Sequence, residues 1–282
     1  MYSFPIYREE IYEFLVNFKQ IETSSVILIP QGGFFMSNQN IFKRYELKYM
    51  LTKEQKERLL QGMKPYMSID KYGRDTIRNI YFDTNNYRLI RHSIEKPIYK
   101  EKLRIRSYRL AQPDTPVYVE LKKKYNSVVY KRRISIPQKT AMDWICSGSH
   151  DIPTSQIARE IEYFRTYYET LHPVVFLSYE REAFYSLDGS DFRVTFDDNV
   201  LVRQDNLSLE YEAGGQSILE EGKVLMEIKT SGGIPLWMTR LLSEEKIYKT
   251  SFSKYGTAYQ TIIHPQQFAS KQAPMKGDFS HV

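Results

Sequence analysis

Eight segments of this chain alternate with a period of two, and on most of them the polar side is cationic. They are "RYELKYML", "DTIRNIYFDT", "YKEKLRIRSYRL", "PVYVELKKK", "SVVYKRRISI", "PVVFLSYEREAFYS", "DFRVTFDDNV" and "KVLMEIKT". Period two is the side-chain repeat of a β-strand, in which successive residues point to opposite faces. Lys100, Lys102, Arg104 and Arg106 thus share one face, with Glu101, Leu103 and Ile105 on the other. The same split sets Arg44, Glu46 and Lys48 together, Glu120 with Lys122 and Lys124, and Lys131 with Arg133. Arg193 groups with Thr195 and Asp197, and Glu227 with Lys229. Arg181 joins them from "SYEREAF", where Glu180 and Glu182 blur the pattern.

The connectors "AQPDTP", "YNS" and "LDGS" are short enough to make adjacent strands antiparallel hairpins. Thr52 followed by Gln55 has the spacing of a capping box and predicts a helix through "KEQKERLLQGM". Further helices are expected over 137–145, 155–171 and 236–242, with "FSKYGTAYQTII" closing the ordered part. The fold class is therefore α+β. Eight strands suit a small closed antiparallel β-barrel. With a basic lumen, the apolar side of every strand faces outward, and the helices are expected to cover it. Residues 1–35 read as an N-terminal extension of different character, 36–263 as the folded domain, and 264–282 as a polar tail without periodicity, expected to be disordered.

A charged strand face is ordinarily the solvent face. Against that stands its repetition, since like charges opposed on neighbouring strands destabilise a sheet. Two cations about 4 Å apart repel by roughly 4 kcal/mol even at an effective dielectric near 20. Such a cluster is most useful when an anion comes to neutralise it, and the net charge of +6 agrees with an anionic partner. Glu46, Glu120 and Glu227 inside the basic set offer the hard oxygen ligands that Mg²⁺ or Mn²⁺ prefers. The single cysteine, Cys146, excludes an intrachain disulfide framework and a thiolate metal cage, and points to a reducing cytoplasm. It sits beside Trp144 on an expected helix and reads as a core residue. The five histidines show no ligand spacing. No apolar run has membrane-spanning length, and "MYSFPIYREEIYEF" lacks the pattern of a secretory signal.

In order along the chain, "FKRYELKYML", "IRNIYFDT", "LRIRSY", "VYVELKKK", "YKRR", "SYEREAF", "FRVTFD", "MEIKTSGGIP" and "FSKYG" closely resemble the VTC domain, over about Phe42 to Tyr259. This is the polyphosphate polymerase domain of the vacuolar transporter chaperone, found also as free-standing bacterial proteins. It is a member of the triphosphate tunnel metalloenzymes, or CYTH superfamily. The resemblance implies an eight-stranded tunnel that grips a triphosphate, a divalent metal (Mn²⁺ or Mg²⁺), and transfer of the terminal phosphate of ATP onto polyphosphate. It implies that Arg104, Arg106, Lys122, Lys131, Arg181, Arg193 and Lys229 act on the phosphates. Lys48, Arg133 and Lys254 hold substrate, with Lys102 beside them, and Glu227 takes the metal with Glu46 and Glu120.

One position departs from the pattern. Hydrolytic relatives begin with E-x-E-x-K, whereas here Arg44 precedes Glu46 and Lys48. That exchange weakens metal binding at this end and favours a polymerase over the alternative, a metal-dependent triphosphatase. A non-catalytic polyphosphate or nucleic-acid binding module is the other alternative. Nucleic acid is not expected as a partner, because the tyrosines mostly alternate away from the basic face and leave it without stacking platforms. Gly232-Gly233 and Asp83 in "YFDTNNY" read as turn features rather than site residues.

Overall fold

The computed structural model describes residues 45–126, 128–148 and 153–267. The extension at 1–35, Arg44, His150, His281 and the tail beyond 267 lie outside the described residues.

The sheet runs through β1 (Tyr45–Thr52), β2 (Met67–Asp83), β3 (Tyr99–Ser107), β4 (Pro116–Tyr125) and β5 (Val128–Pro137). It continues with β6 (His172–Ser186), β7 (Arg193–Arg203), β8 (Gln216–Ser217), β9 (Lys223–Thr230) and β10 (Lys249–Thr250). All pairings are antiparallel, in the order β10-β1-β9-β7-β6-β2-β3-β4-β5, with β8 attached to β7. Each of the eight alternating segments forms a strand. Two expectations need correction. The described sheet has ten strands rather than eight, because β8 and β10 are two-residue pieces too short to show alternation. Nor is the sheet a closed barrel, since among the described residues no backbone ladder joins β5 to β1 or β10.

The helices are α1 (Lys53–Met63), α2 (Arg88–Ile94), α3 (Gln138–Ser147), α4 (Gln156–Tyr167), α5 (Leu236–Glu244) and α6 (Lys254–Ala258). A π-helical turn, Tyr259–Ile263, extends α6, and helical backbone continues through residue 267, past the expected start of the tail. The capping box of α1 is present: Thr52 Oγ1 accepts from Gln55 N at 3.2 Å, and Gln55 Oε1 accepts from Thr52 N at 2.9 Å.

Alternation divides the sheet as the sequence predicts. Leu103, Ile105, Val117, Val119 and Leu121 turn outward and pack on α3 and α4 through Ala141, Trp144, Ala158 and Ile161. Leu51, Val194, Phe196, Met226 and Ile228 do the same against α1 and α5, meeting Leu59, Met63, Met238 and Leu242. Fully burying each such side chain contributes roughly 1.5–3 kcal/mol, which fixes the register of the face opposite.

The terminal helix breaks the expected plan. It packs on the inner side of the sheet, where Tyr255, Ala258 and Tyr259 meet Ile77, Tyr81, Leu177 and Tyr179. Tyr255 stacks on Tyr81 with ring centroids 4.9 Å apart and donates its hydroxyl to Asp83 Oδ2 at 2.9 Å. Asp83 also accepts from the backbone N–H of Leu89 at 2.8 Å and of Ile90 at 2.9 Å, capping α2. Burial raises its pKa, and those hydrogen bonds oppose the rise. The favoured structural reading of Asp83 agrees with this geometry.

Candidate active site

Strand pairing places Glu120 of β4 directly between Arg104 of β3 and Arg133 of β5. Its carboxylate, 1% exposed, receives Arg104 Nη2 at 2.6 Å, Lys131 Nζ at 2.7 Å and Arg133 Nη2 at 2.5 Å. Arg106 Nε stands 3.9 Å away. Burial by itself would raise the Glu120 pKa, but Arg104, Arg106, Lys131 and Arg133 override it and hold the carboxyl far below the usual range. One anion on β4 thus gathers the cations of the two strands beside it.

The same cations are aimed by neutral groups. Arg104 Nη1 donates to Tyr81 Oη at 2.9 Å. Arg106 Nε donates to Asn79 Oδ1 at 2.9 Å and its Nη2 to Tyr179 Oη at 3.0 Å. Arg133 donates to Tyr108 Oη at 3.0 Å and lies over the Tyr118 ring, 4.3 Å from its centroid. The expectation that tyrosines turn away from the basic face is therefore wrong for Tyr81, Tyr118 and Tyr179. The signal was available, because Tyr179 stands two residues before Arg181 and Tyr118 two before Glu120. Asn79 alternates with the outward Ile80 in the same manner.

A second cluster centres on Asp197 of β7, which is fully buried. Arg181 grips it with two bonds, Nε to Oδ1 at 2.6 Å and Nη2 to Oδ2 at 2.7 Å, and Lys254 Nζ from α6 reaches Oδ2. Burial favours a neutral Asp197, yet Lys254 and Arg181 bring its pKa down to about 2. Tyr179 lies beside this cluster. Burial would raise its phenol, but Arg106, Arg181 and Lys254 lower it to about 8. In the sequence Asp197 shares a strand face with Arg193, and only the β6–β7 register, which pairs it with Arg181, marks it as a site residue.

The third cluster lies on β1 and β9, where Glu46 faces Lys229 and Lys48 faces Glu227. Lys229 Nζ is 3.3 Å from Glu227 Oε1, and Lys48 Nζ donates to Phe252 O at 2.8 Å. Burial disfavours the charged form of Glu227, but Lys229, Lys48, Lys254 and Arg181 keep its pKa well below the ordinary value. Glu46 is held low as well: Lys122 and Lys229 outweigh burial and the repulsion of Glu227. Lysine charge is less secure here. Burial and neighbouring cations push Lys102 down to about 7, and burial pushes Lys131 to about 7 and Lys48 to about 8, each against a carboxylate's support. For Lys102 no such support counts among the main causes; its Nζ donates to Ser253 Oγ at 3.2 Å.

Arg193 is the exception among the expected site residues. It stands at the start of β7 with a half-exposed side chain, and its nearest acid is Asp70, at 3.9 Å. Elsewhere, His92 and His172 bond the carbonyls of Tyr99 and Thr170, away from the basic clusters. Cys146 is exposed on α3 rather than in the core, because Trp144 and Ile145 take the buried side of that helix. Gly232 N–H is spent on Thr230 Oγ1 at 3.2 Å, as a strand-to-helix turn requires.

A hard cation fits part of this lining. Among the described residues no three His, Cys, Asp or Glu side chains group as a metal cage. Glu227 and Glu46 nevertheless supply ionised carboxylates on adjacent strands, and the buried Thr195 Oγ1 opposite Glu227 has no hydrogen-bond partner. Glu120 fits poorly, because its oxygens already meet cations on every strand around it.

The model of the VTC domain family matches residues 43–263. Solved structures also resemble the chain. A candidate adenylate cyclase from Bacillus halodurans is 15% identical at a TM-score of 0.48, over 76% of this chain and 94% of that one. A candidate adenylyl cyclase from Hippeastrum, described as having a dominant triphosphatase activity, is 15% identical at a TM-score of 0.47 with the same coverages. A candidate adenylate cyclase from Vibrio parahaemolyticus is 12% identical at a TM-score of 0.44, over 78% of this chain and 98% of that one. No curated protein matches. Among the described residues no helix is long and apolar enough to cross a membrane.

Proposed function

The chain belongs to the VTC-domain family, and from that premise we propose that it is an ATP-dependent polyphosphate polymerase. The donor's terminal phosphate passes to the end of a polyphosphate chain lying along the same basic lining. The observation that supports this reading is the convergence of Arg104, Lys131 and Arg133 on the buried carboxylate of Glu120. A lining in which Arg and Lys outnumber the carboxylates suits a ligand with several negative charges in a row.

Phosphoryl transfer asks a protein mainly for positioning and charge neutralisation. Arg104, Arg106 and Arg133 have fixed orientations and offer bidentate contacts to phosphate oxygens, while Lys48, Lys102, Lys122, Lys131 and Lys229 act as point charges. Arg181 and Lys254 extend the set around Tyr179, which Arg106 also contacts, and Arg193 offers a more exposed cation at the start of β7. No general base is demanded of the protein, because a terminal phosphate is already an anionic nucleophile. Glu227 and Glu46 would hold a divalent Mn²⁺ or Mg²⁺ ion, which neutralises charge on the donor phosphates when bound.

A metal-dependent triphosphatase would use the same lining with water as acceptor. Arg44 in place of the first glutamate of E-x-E-x-K favours the polymerase, since it exchanges a metal ligand for a further cation. Purified protein incubated with ATP and Mn²⁺ separates the readings. Long anionic polymer is the expected product; free phosphate alone makes the protein a triphosphatase, and no turnover makes it a binder. Glu227→Gln keeps the shape of the site and is expected to abolish turnover while ATP still binds.

A further inference from the structure

Among the described residues, the lumen face contains one buried polar group without a hydrogen-bond partner. Thr195 is 4% exposed, and its Oγ1 has no hydrogen-bond partner. Leaving a hydroxyl buried and unpaired forfeits its hydration without return, so a folded protein rarely keeps one without use for it. Threonine is not needed here for packing, because valine has the same shape and no polar atom to bury.

Its surroundings say what that use is. Val194 and Phe196 on either side point outward into the core beneath α1 and α5, so Thr195 points inward. The strand ladder sets it directly opposite Glu227 on one side and Ala183 on the other. Directly opposed residues have Cβ atoms about 4.5–5.5 Å apart, within the span of a single ion and its ligands. Ala183 is too short to reach the hydroxyl, and Glu227 turns its Oε1 toward Lys229. Across this row of Lys48, Glu227, Thr195 and Ala183, only Glu227 and Thr195 carry oxygen donors.

We infer that Thr195 Oγ1 is a ligand of the divalent metal held by Glu227, supplying a neutral oxygen beside the carboxylate. Mg²⁺ and Mn²⁺ take few protein ligands and complete their shells with water and substrate phosphate. The carboxylates of Glu227 and Glu46, a hydroxyl and the donor's phosphate oxygens suit that habit without a cage of three acids, and none is present among the described residues. The inference rests on the proposed function only in needing a metal at Glu227; it does not depend on whether the acceptor is phosphate or water.

Mn²⁺ affinity is the readout, measured by calorimetry and by electron paramagnetic resonance on the full chain. The protein is saturated with a non-hydrolysable ATP analogue for the measurement. Thr195→Val is expected to weaken Mn²⁺ binding by about tenfold or more, the scale seen when a metal-site partner is removed, and Thr195→Ser to stay near wild type. Without metal, Thr195→Val should melt at or above the wild-type temperature, since it removes an unpaired hydroxyl. Equal Mn²⁺ affinity in the valine variant overturns the assignment. So does analogue affinity that falls equally with and without Mn²⁺, which would make the hydroxyl a phosphate contact. A lower metal-free melting temperature overturns it too, by giving the hydroxyl a structural partner. Wild-type protein that binds no Mn²⁺ defeats the metal itself, and this inference with it. Mn²⁺ binding lost in the valine variant but no polymer from wild type would defeat only the polymerase reading.

Discussion

Glu46 of β1 and Lys122 of β4 stand near opposite ends of the strand order, yet Glu46 Oε2 and Lys122 Nζ meet at 2.9 Å. The contact requires the sheet to curl until its two ends face each other. Both side chains keep solvent contact, so the pair is worth no more than about 1 kcal/mol. A double-mutant cycle on Glu46→Gln and Lys122→Met, read by thermal denaturation, should give a coupling below that figure. Tripolyphosphate affinity should fall in Lys122→Met and not in Glu46→Gln. Equal loss in both would mean that the pair itself, rather than the lysine, serves binding.

Glu120 makes a different prediction. Removing a buried carboxylate leaves Arg104, Lys131 and Arg133 facing one another without a counter-ion, which typically costs 3–5 kcal/mol. Glu120→Gln should therefore melt well below wild type in plain buffer. Saturating tripolyphosphate should recover most of the loss by replacing the missing charge. A variant that stays destabilised when saturated would show that Glu120 serves the fold apart from the ligand.

Arg104 and Arg106 should separate, although they share a strand face. Arg106 is buried and satisfies both Asn79 and Tyr179, whereas Arg104 is the more open of the two. Each alanine variant should lose a charge-assisted phosphate contact of about 1.5–3 kcal/mol, visible by calorimetry with ATP. Both should lower the melting temperature, Arg106→Ala the more, since Arg104→Ala leaves Glu120 with Lys131 and Arg133 while Arg106→Ala strips Asn79 Oδ1 and Tyr179. Equal melting temperatures for the two variants would contradict the geometry.

Stability should rise with pH in the ligand-free protein. Lys102 and Lys131 have folded pKa values near 7 and Lys48 near 8, all below the ordinary lysine value of 10.5. Between pH 7 and 10 the unfolded chain therefore binds protons that the folded chain has given up, and the folded state gains with rising pH. A polyanion reverses this by stabilising the ammonium forms. Tripolyphosphate binding should take up protons near pH 8, seen as a dependence of the calorimetric heat on buffer ionisation enthalpy. Heats that ignore the buffer would show these lysines to be charged already.

Much of this fold was written in its alternation. Leu103 and Ile105 had to point away from Arg104 and Arg106, and they do, because one buried face fixes every side chain of a strand. Local spacing likewise announced the cap at Thr52. What escaped depends on distant partners. Helix α2 begins after Tyr87, a non-glycine residue in the left-handed region at φ 57°, and is capped by Asp83 from the preceding strand. No neighbouring-residue signal reports such a cap. Strand β10 consists of two residues beside β1 and has no pattern of its own. Among the site residues, the cations were legible as a set, whereas the way Glu120 and Asp197 divide them was not. Pairing depends on register between strands, which a single chain reading does not contain.

The described sheet comes round on itself without being hydrogen-bonded shut, and this gives its cross-section a mechanical property. In a sealed cylinder the girth is set by the number of strands and their stagger, and widening it would break a row of backbone bonds. Here the last gap is bridged by Glu46 and Lys122. That pair is worth no more than about 1 kcal/mol, and beside it, among the described residues, Lys48 and Lys102 donate only to the 252–253 segment, at Phe252 O and Ser253 Oγ. The bore is therefore expected to yield first along this line, where no backbone ladder has to break, and to admit ligands of unequal width with the helices outside left packed.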